Sequence, residues 1–132
     1  MITSSNCHFG FTKLLVNNLE TSAEFYTSVC GLVEKYRLTS EIAGRELDEI
    51  VFERTQEGAS AFILMSFTDT SRPVNEELIT GFNTDNLDAF IERALNAGGS
   101  ILAPAKDHLD HGVKVAILKD NEGHMIEVVQ AF

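Results

Sequence analysis

The clearest pattern along the chain is a helical stripe of apolar positions that occurs twice, 68 residues apart. In each copy the apolar positions recur at i, i+4, i+7 and i+11, which places them on one face of an α-helix. The positions are Leu19, Ala23, Tyr26 and Cys30 in the first copy, and Leu87, Ile91, Ala94 and Gly98 in the second. The repeat predicts two equivalent amphipathic helices.

The residues that flank the two stripes repeat as well. Asn18 and Asn86 precede them as natural N-caps, and Glu20 and Asp88 then place negative charge in the first turn, where the helix dipole favours it. Glycines follow each stripe at equivalent positions and predict the helix ends. The duplicated unit therefore includes its own start and stop signals.

Runs of strand character surround each predicted helix, one before it and three after it. In the first half they cover about 8–16, 32–38, 47–54 and 60–67, and in the second half about 78–84, 99–103, 112–118 and 124–130. The chain has two prolines, Pro73 and Pro104, and both lie outside these runs.

The order of these elements predicts an α+β fold of two tandem βαβββ modules within a single domain of 132 residues. Module one covers about 8–67, a polar linker covers 68–77, and module two covers about 78–130. A four-stranded sheet with one helix covers only one of its faces, so the two sheets are expected to form a cupped mixed sheet with the helices outside and a cleft inside.

Composition narrows the classes of function. The net charge of −10 argues against nucleic acid, since binding phosphates requires clustered Lys and Arg. No apolar run is long enough to span a membrane, and the first ten residues do not resemble a secretory signal. Two cysteines, Cys7 and Cys30, form no recognisable disulfide framework, so a cytoplasmic location is the expectation.

Two motifs carry a resemblance to a known superfamily. The pattern V-x-N-L-x-x-S-x-x-F-Y-x-x-x-x-G-L at 16–32 and the stretch KDNEGHMIEV at 119–128 resemble the vicinal-oxygen-chelate superfamily. That group includes glyoxalase I, bleomycin-resistance proteins, extradiol dioxygenases and methylmalonyl-CoA epimerase. The resemblance covers nearly the whole chain and its duplicated architecture. It is informative about fold more than function, because this scaffold hosts several chemistries.

The resemblance implies where a metal would bind. In the metal-dependent members, four ligands come from the first and fourth strands of the two modules. Those positions fall here on Phe11, Leu64, Ile79 and Glu127, if Ile63 is aligned with Ile126. Only Glu127 can bind a metal, whereas a divalent ion needs three or four N, O or S ligands. We therefore expect no cofactor, with a divalent metal possible only in a noncanonical site that includes Glu127.

Strand alternation predicts which other side chains face the cleft. The predicted ligand-binding residues are Phe9, Phe11, Lys13, Phe62, Leu64, Ile79, Asn83 and Glu127. Glu127 has three possible roles: an internal ion pair with Lys13, the anchor for a cationic ligand, or general acid/base catalysis without a metal.

The four histidines are weak candidates for metal ligation. His108 and His111 lie in AKDHLDHG, which Pro104 precedes and Gly112 ends, and we expect a polar loop over the mouth of the cleft. Strand alternation turns His8 and His124 away from the cleft. A noncanonical site that joins Glu127 to a loop histidine stays open at this point.

The expected function is metal-independent binding of a small, partly apolar and possibly cationic molecule in the cleft, as resistance-type relatives do by sequestration. The alternative is a metal-dependent glyoxalase-like lyase, isomerase or dioxygenase with a rearranged site including Glu127. The resemblance also implies a homodimer with clefts near the subunit interface. No nucleic-acid or membrane partner is expected.

Overall fold

The structure is a computed structural model that describes residues 11–42, 45–69 and 78–132. Phe9, His8, Cys7 and most of the predicted linker lie outside the described residues. Within them the elements are β1 (Phe11–Leu15), α1 (Leu19–Cys30), β2 (Glu34–Ile42), β3 (Arg45–Phe52), β4 (Ala61–Phe67), β5 (Ile79–Asn83), α2 (Leu87–Asn96), β6 (Ser100–His108), a 3-10 turn (Leu109–His111), β7 (Val113–Lys119) and β8 (Met125–Ala131).

Both helices begin where the repeat predicts. Helix α1 also ends as predicted, whereas α2 ends at Asn96, so Gly98, the last position of the second stripe, lies outside the helix. The Asn18 side chain accepts a hydrogen bond from the Thr21 N–H, and the Asn86 side chain accepts one from the Ala89 N–H. Gly31 ends α1 with a left-handed backbone (φ 72°), a conformation that costs glycine little. Neither described helix has the length and apolarity that crossing a bilayer requires.

The strands form two separate four-stranded sheets with the same topology. Their orders are β1-β4-β3-β2 and β5-β8-β7-β6, with β1 parallel to β4 and β5 parallel to β8. The predicted fold of two βαβββ modules is therefore confirmed. In each module the first strand lies at an edge of its sheet, so β1 and β5 have no strand partner within the described residues on their second edge.

A single hydrophobic core joins the two modules. It includes Phe25 and Tyr26 from α1, Phe90 from α2, Leu64 from β4 and Ile126 from β8. The helices contact each other and cover one face of each sheet, which we call the helix face. The opposite face of each sheet is called the cleft face.

The register of β4 corrects the face that was predicted for two site residues. Lys13 lies opposite Ile63, and Leu14 lies opposite Leu64 in the parallel pair. Leu14 and Leu64 belong to the core, so Leu64 and Phe62 are on the helix face rather than beside Phe11 and Lys13. The prediction failed because AFILM is continuously apolar and its residues are buried or half-buried, which leaves no alternation to read.

The same pairing changes the internal alignment of the fourth strands. Gly81, which is 68 residues after Lys13, lies opposite Glu127. The residue of module one that corresponds to Glu127 is therefore Ile63, 64 residues earlier. The alignment of Leu64 with Glu127 is wrong by one residue.

Strand β6 is longer than its sequence pattern predicts. It includes Pro104 and His108, which were expected outside any strand and in a polar loop respectively. The pairing of β6 with β7 shifts between Ala103 and Lys106, and β6 is the edge strand of its sheet. A proline is tolerated at such a position because an edge strand or bulge does not require its N–H.

Candidate functional site

The first candidate site is a cavity of about 640 Å³ on the cleft face of module one, here called the cleft cavity. Phe11 and Tyr36 line it with rings that are 57% and 48% exposed, and the buried side chains of Val51 and Ile63 form its floor. Charged side chains complete the lining: Lys35, Glu53, Arg54 and Glu57. An apolar floor with a few polar groups at the rim is typical of a small-molecule site.

Lys13 is paired within module one. Its Nζ lies 2.5 Å from Oε2 of Glu49, a carboxylate on β3 that is only 5% exposed. The contact is an ion pair and not a well-aligned hydrogen bond. Glu49 and Lys13 share the cleft face because Glu49 lies opposite Met65 and Lys13 lies opposite Ile63. The proposed alternative in which Lys13 neutralises Glu127 is therefore wrong.

Glu127 lies on the cleft face of module two and is half-buried. Its neighbours across the strands are Gly81 on β5 and Ile117 on β7. Among the described residues, none forms a hydrogen bond or ion pair with the Glu127 carboxylate. This carboxylate is consequently available to a ligand that enters from the cleft face.

The residues at the family's metal positions do not fit a metal. The corrected register makes the four equivalent positions Phe11, Ile63, Ile79 and Glu127, so three hydrocarbon side chains accompany one carboxylate. A divalent ion would lack most of its N, O or S ligands there. Within the described part of the chain, no group of three or more His, Cys, Asp or Glu side chains could hold a metal ion elsewhere.

His124 is a structural residue rather than a cleft residue. Its Nδ1 lies 2.8 Å from Oδ2 of Asp120, and its Nε2 lies 3.0 Å from the carbonyl oxygen of Leu15. His124 and Asp120 are 4% and 3% exposed. His124 therefore connects the start of β8 in module two with the end of β1 in module one.

Asp120 also accepts a hydrogen bond from module one. The Tyr26 hydroxyl of α1 donates a hydrogen bond of 2.8 Å to Oδ2 of Asp120. Burial by itself would raise the pKa of Asp120, but the hydrogen bonds and charge of His124, with help from Tyr26, outweigh it and hold that pKa below its usual value. Burial and then the Asp120 charge raise the pKa of Tyr26 well above its usual value.

Glu122 in the same turn caps helix α1. Its carboxylate accepts hydrogen bonds of 2.9 Å from the backbone N–H groups of Asn17 and Asn18, and one of 3.3 Å from the Ser22 hydroxyl. A carboxylate at a helix N-terminus also interacts favourably with the helix dipole. Together Asp120, Glu122 and His124 hold module two to module one, and we call them the clasp.

A second cavity, of about 590 Å³, lies between the modules near the start of β1 and is here called the junction cavity. Thr12, Cys30 and Phe62 line it from module one, and the segment 78–83 lines it from module two. It brings together three of the predicted site residues, which are Phe62, Ile79 and Asn83. Phe11 lines the cleft cavity instead, whereas Lys13, Leu64 and Glu127 line neither of the two.

Sequence reasoning missed several residues of both cavities. The loop at 53–60 contributes Glu53 and Gln56 to both, and Tyr36 reaches the cleft cavity from β2. The alternation of β3 placed Glu53 on the same face as Glu49 and could have indicated the loop. Tyr36 gave no comparable signal, because the partner strand of β2 is not specified by local pattern.

Neither His108 nor His111 lines the cleft cavity or the junction cavity. His108 is the last residue of β6, opposite Val113, and His111 ends the short 3-10 turn. Both are exposed.

Comparisons with known proteins agree with this architecture. The model of the Glyoxalase/Bleomycin resistance protein/Dioxygenase superfamily matches residues 8–128. No curated protein matches the sequence significantly.

Three solved structures illustrate how well the fold is preserved at low sequence identity. A glyoxalase family protein from Bacillus cereus is 14% identical with a TM-score of 0.83, over 100% of this chain and 99% of that one. A glyoxalase/bleomycin resistance protein/dioxygenase family enzyme from Burkholderia phytofirmans PsJN is 15% identical with a TM-score of 0.71, over 93% and 98% of the two chains. A glyoxalase I mutant from Zea mays is 18% identical with a TM-score of 0.72, over 92% of this chain and 45% of that one.

These structural matches establish the fold, and the family model covers all but the two ends of the sequence. The chain belongs to the Glyoxalase/Bleomycin resistance protein/Dioxygenase superfamily.

Proposed function

We propose that this protein binds a small, partly apolar molecule in the cleft cavity without a metal. The observation that carries the proposal is the pair of half-exposed aromatic rings, Phe11 and Tyr36, above a floor of buried apolar side chains. Large apolar side chains that line a concavity are a signature of ligand sites, because covering them removes apolar surface from water.

The side chains at the family's metal positions support the metal-independent part of the proposal. Phe11 and Ile63 occupy two of those positions and line the cleft cavity, so the space that a metal centre would use offers apolar contact instead. Binding in this form requires no chemistry, and a sequestering protein lowers the free concentration of its ligand by mass action.

The charges near the cleft favour a ligand with a cationic group. Lys35 lies 4.0 Å from Glu53, and the Arg54 guanidinium donates to the carbonyl oxygen of Ala59. Glu57 at the rim and Glu127 on module two have no such partner among the described residues. With a net charge of −10, the whole chain also attracts cations. An aromatic ring can add a cation–π contact.

A pair of isosteric probes tests both parts of the proposal: benzyltrimethylammonium, which is cationic, and neopentylbenzene, which is neutral. The chain has two tyrosines and no tryptophan, and Tyr26 is buried. Tyr36 therefore reports on the cleft cavity by fluorescence, and Tyr36→Phe should remove the response. We expect saturable binding of both probes and tighter binding of the cation.

Matched variants locate the binding site. Phe11→Ala should weaken the binding of both probes about tenfold, since a buried aromatic contact contributes about 1.5 kcal/mol to binding. Phe132→Ala is the control, because Phe132 is 64% exposed and lines neither cavity. Glu57→Gln, at the rim of the cleft cavity, should weaken the binding of only the cationic probe. Absence of saturable binding, or equal losses in Phe11→Ala and Phe132→Ala, would refute the proposal.

We also propose the homodimer that the family resemblance implies. Its support in the structure is strand β6, whose nine residues are all exposed, including Ile101 and Leu102. Such an open edge strand can pair with another chain. Sedimentation velocity should show a species of about twice 14.6 kDa, and Leu102→Lys should dissociate it. A wild-type monomer at micromolar concentration would contradict this.

A further inference from the structure

The junction cavity shares little of its lining with the cleft cavity on which the proposed function depends, although Ile79 and Asn83 reach it from the cleft-face side of β5. Cys30, Leu32, Phe62 and Phe82 line it, and these residues belong to the end of α1 or to the helix faces of β4 and β5. The two cavities share only Glu53, Gln56 and Ala61 at the loop between them.

An aromatic wall forms the inner side of this cavity. Phe62 of module one and Phe82 of module two both pack against the buried Tyr26 ring, with centroid distances of 5.1 and 6.3 Å. Both phenylalanines are only half-buried and both line the cavity, so part of each ring is available to a ligand. Aromatic pairs at such distances attract each other beyond the effect of area burial.

The remaining inner lining carries no charge at neutral pH. Leu32 and Leu78 add aliphatic surface, and burial raises the pKa of the Cys30 thiol to about 12, which keeps it neutral. Polar groups such as Thr55, Gln56 and Ser60 lie on the loop at the mouth. Glu53 is the one charged side chain among the described residues of the lining.

We propose that the junction cavity is a second ligand site, which takes a small neutral aromatic molecule against the rings of Phe62 and Phe82. Its volume of about 590 Å³ lies within the range of small-molecule sites, and its neutral inner surface does not favour a charged group. A ligand there contacts both modules at once. Its binding therefore stabilises the junction between them, and this makes the site suited to regulation of the neighbouring cleft cavity.

Protection of Cys30 tests the proposal, with indole as the probe. In a Cys7→Ser background Cys30 is the one remaining thiol, and its reaction with the small neutral reagent methyl methanethiosulfonate can be followed by mass spectrometry. We expect slow modification, since the thiolate is the reactive form and the pKa is raised. Saturating indole should slow it by about tenfold or more.

Two variants examine the site from different directions. Ser60→Trp places a large side chain on an exposed loop at the mouth and should abolish protection by indole without disturbing the core. Phe82→Leu removes one aromatic contact and should weaken the binding of indole by about fivefold. Phe67→Leu on the cleft-face side of β4 is the matched control and should leave protection unchanged.

Three outcomes would overturn the proposal. Indole could fail to slow the modification of Cys30, Ser60→Trp could retain full protection, or Phe11→Ala could remove protection, which would place indole in the cleft cavity. Competition separates the two sites: saturating benzyltrimethylammonium should leave Cys30 protection intact if both proposals hold. Loss of binding in the cleft cavity alone would leave this inference standing.

Discussion

The turn before β4 and the turn before β8 lie at the two ends of the module junction. They occupy equivalent positions in the repeat but differ in their side chains. Counting back from β4 and β8 with the 64-residue offset, Gln56 corresponds to Asp120 and Ser60 corresponds to His124. The backbone bond of the turn is the same in both: Ala59 N–H donates to Gln56 O, and Gly123 N–H donates to Asp120 O, each at 3.2 Å. The repeat has therefore kept the turn and changed its contacts.

At the module-two turn the side chains hold the opposite module. Asp120, Glu122 and His124 reach Tyr26, the N-terminus of α1 and Leu15, through residue pairs about a hundred positions apart in the chain. At the module-one turn, Gly58 replaces Glu122 and has no side chain to offer. Its loop lines two cavities instead. The difference shows how a duplicated fold can place inter-module contacts at one end and cavities at the other.

Tyr26 connects the two ends. Its hydroxyl is bound to Asp120 in the clasp, whereas its ring supports the Phe62 and Phe82 wall of the junction cavity. A change at either end is therefore transmitted to the same buried side chain. This contact gives the junction cavity a physical route to the stability of the whole domain.

Removal of the central clasp residue should have the largest effect on stability. Asp120→Ala leaves the Tyr26 hydroxyl and the His124 ring buried without their acceptor, which we expect to lower the free energy of unfolding by about 3–5 kcal/mol. Urea denaturation followed by circular dichroism measures the loss. The matched control is Gln56→Ala at the equivalent exposed position, where a change within about 0.5 kcal/mol is expected. Similar losses in the two variants would mean that the two ends are not different in energy.

The helices and the module repeat could be predicted from the sequence because their signals are local. Asn18 and Asn86 each act within three residues, and the 3.6-residue period needs only one stretch of chain. The corresponding strands were found too, although β6 was predicted to end before Pro104. An edge strand tolerates proline, and composition alone does not tell which strand will be at an edge.

The candidate site was less predictable because its residues depend on register and on distant partners. Ile63, Leu64 and Met65 are all apolar and buried, so period-two alternation cannot decide which of them faces the cleft. The partner of Lys13 is Glu49, 36 positions away in sequence, whereas the sequence left a pairing with Glu127 open as one alternative. The clasp was even less predictable from the sequence. A polar turn has the same sequence pattern whether its carboxylates face water or contact another module.

The protonation of Asp120 should produce a smaller, pH-dependent form of the same effect. Its pKa is below the usual value of about 3.9, so the unfolded chain binds more protons than the folded one between the two values. The contribution of Asp120 to stability is therefore complete above the unfolded pKa and is lost as pH falls through the folded pKa. Burial raises the pKa of Asp120 while its hydrogen bonds lower it, so the two influences partly cancel. We therefore expect protonation of Asp120 to destabilise the protein less than Asp120→Ala does.

Urea unfolding from about pH 6 down to about pH 3 measures this contribution if wild type is compared with Asp120→Asn. The other acidic residues titrate in both proteins, so their effect cancels in the difference. We expect the wild type to be the more stable protein at the upper end of this range and the gap to narrow as pH falls. A difference in the free energy of unfolding between wild type and Asp120→Asn that stays constant with pH would mean that the Asp120 charge does not stabilise the clasp. The energetic difference between the two ends would then depend on shape and neutral hydrogen bonds alone.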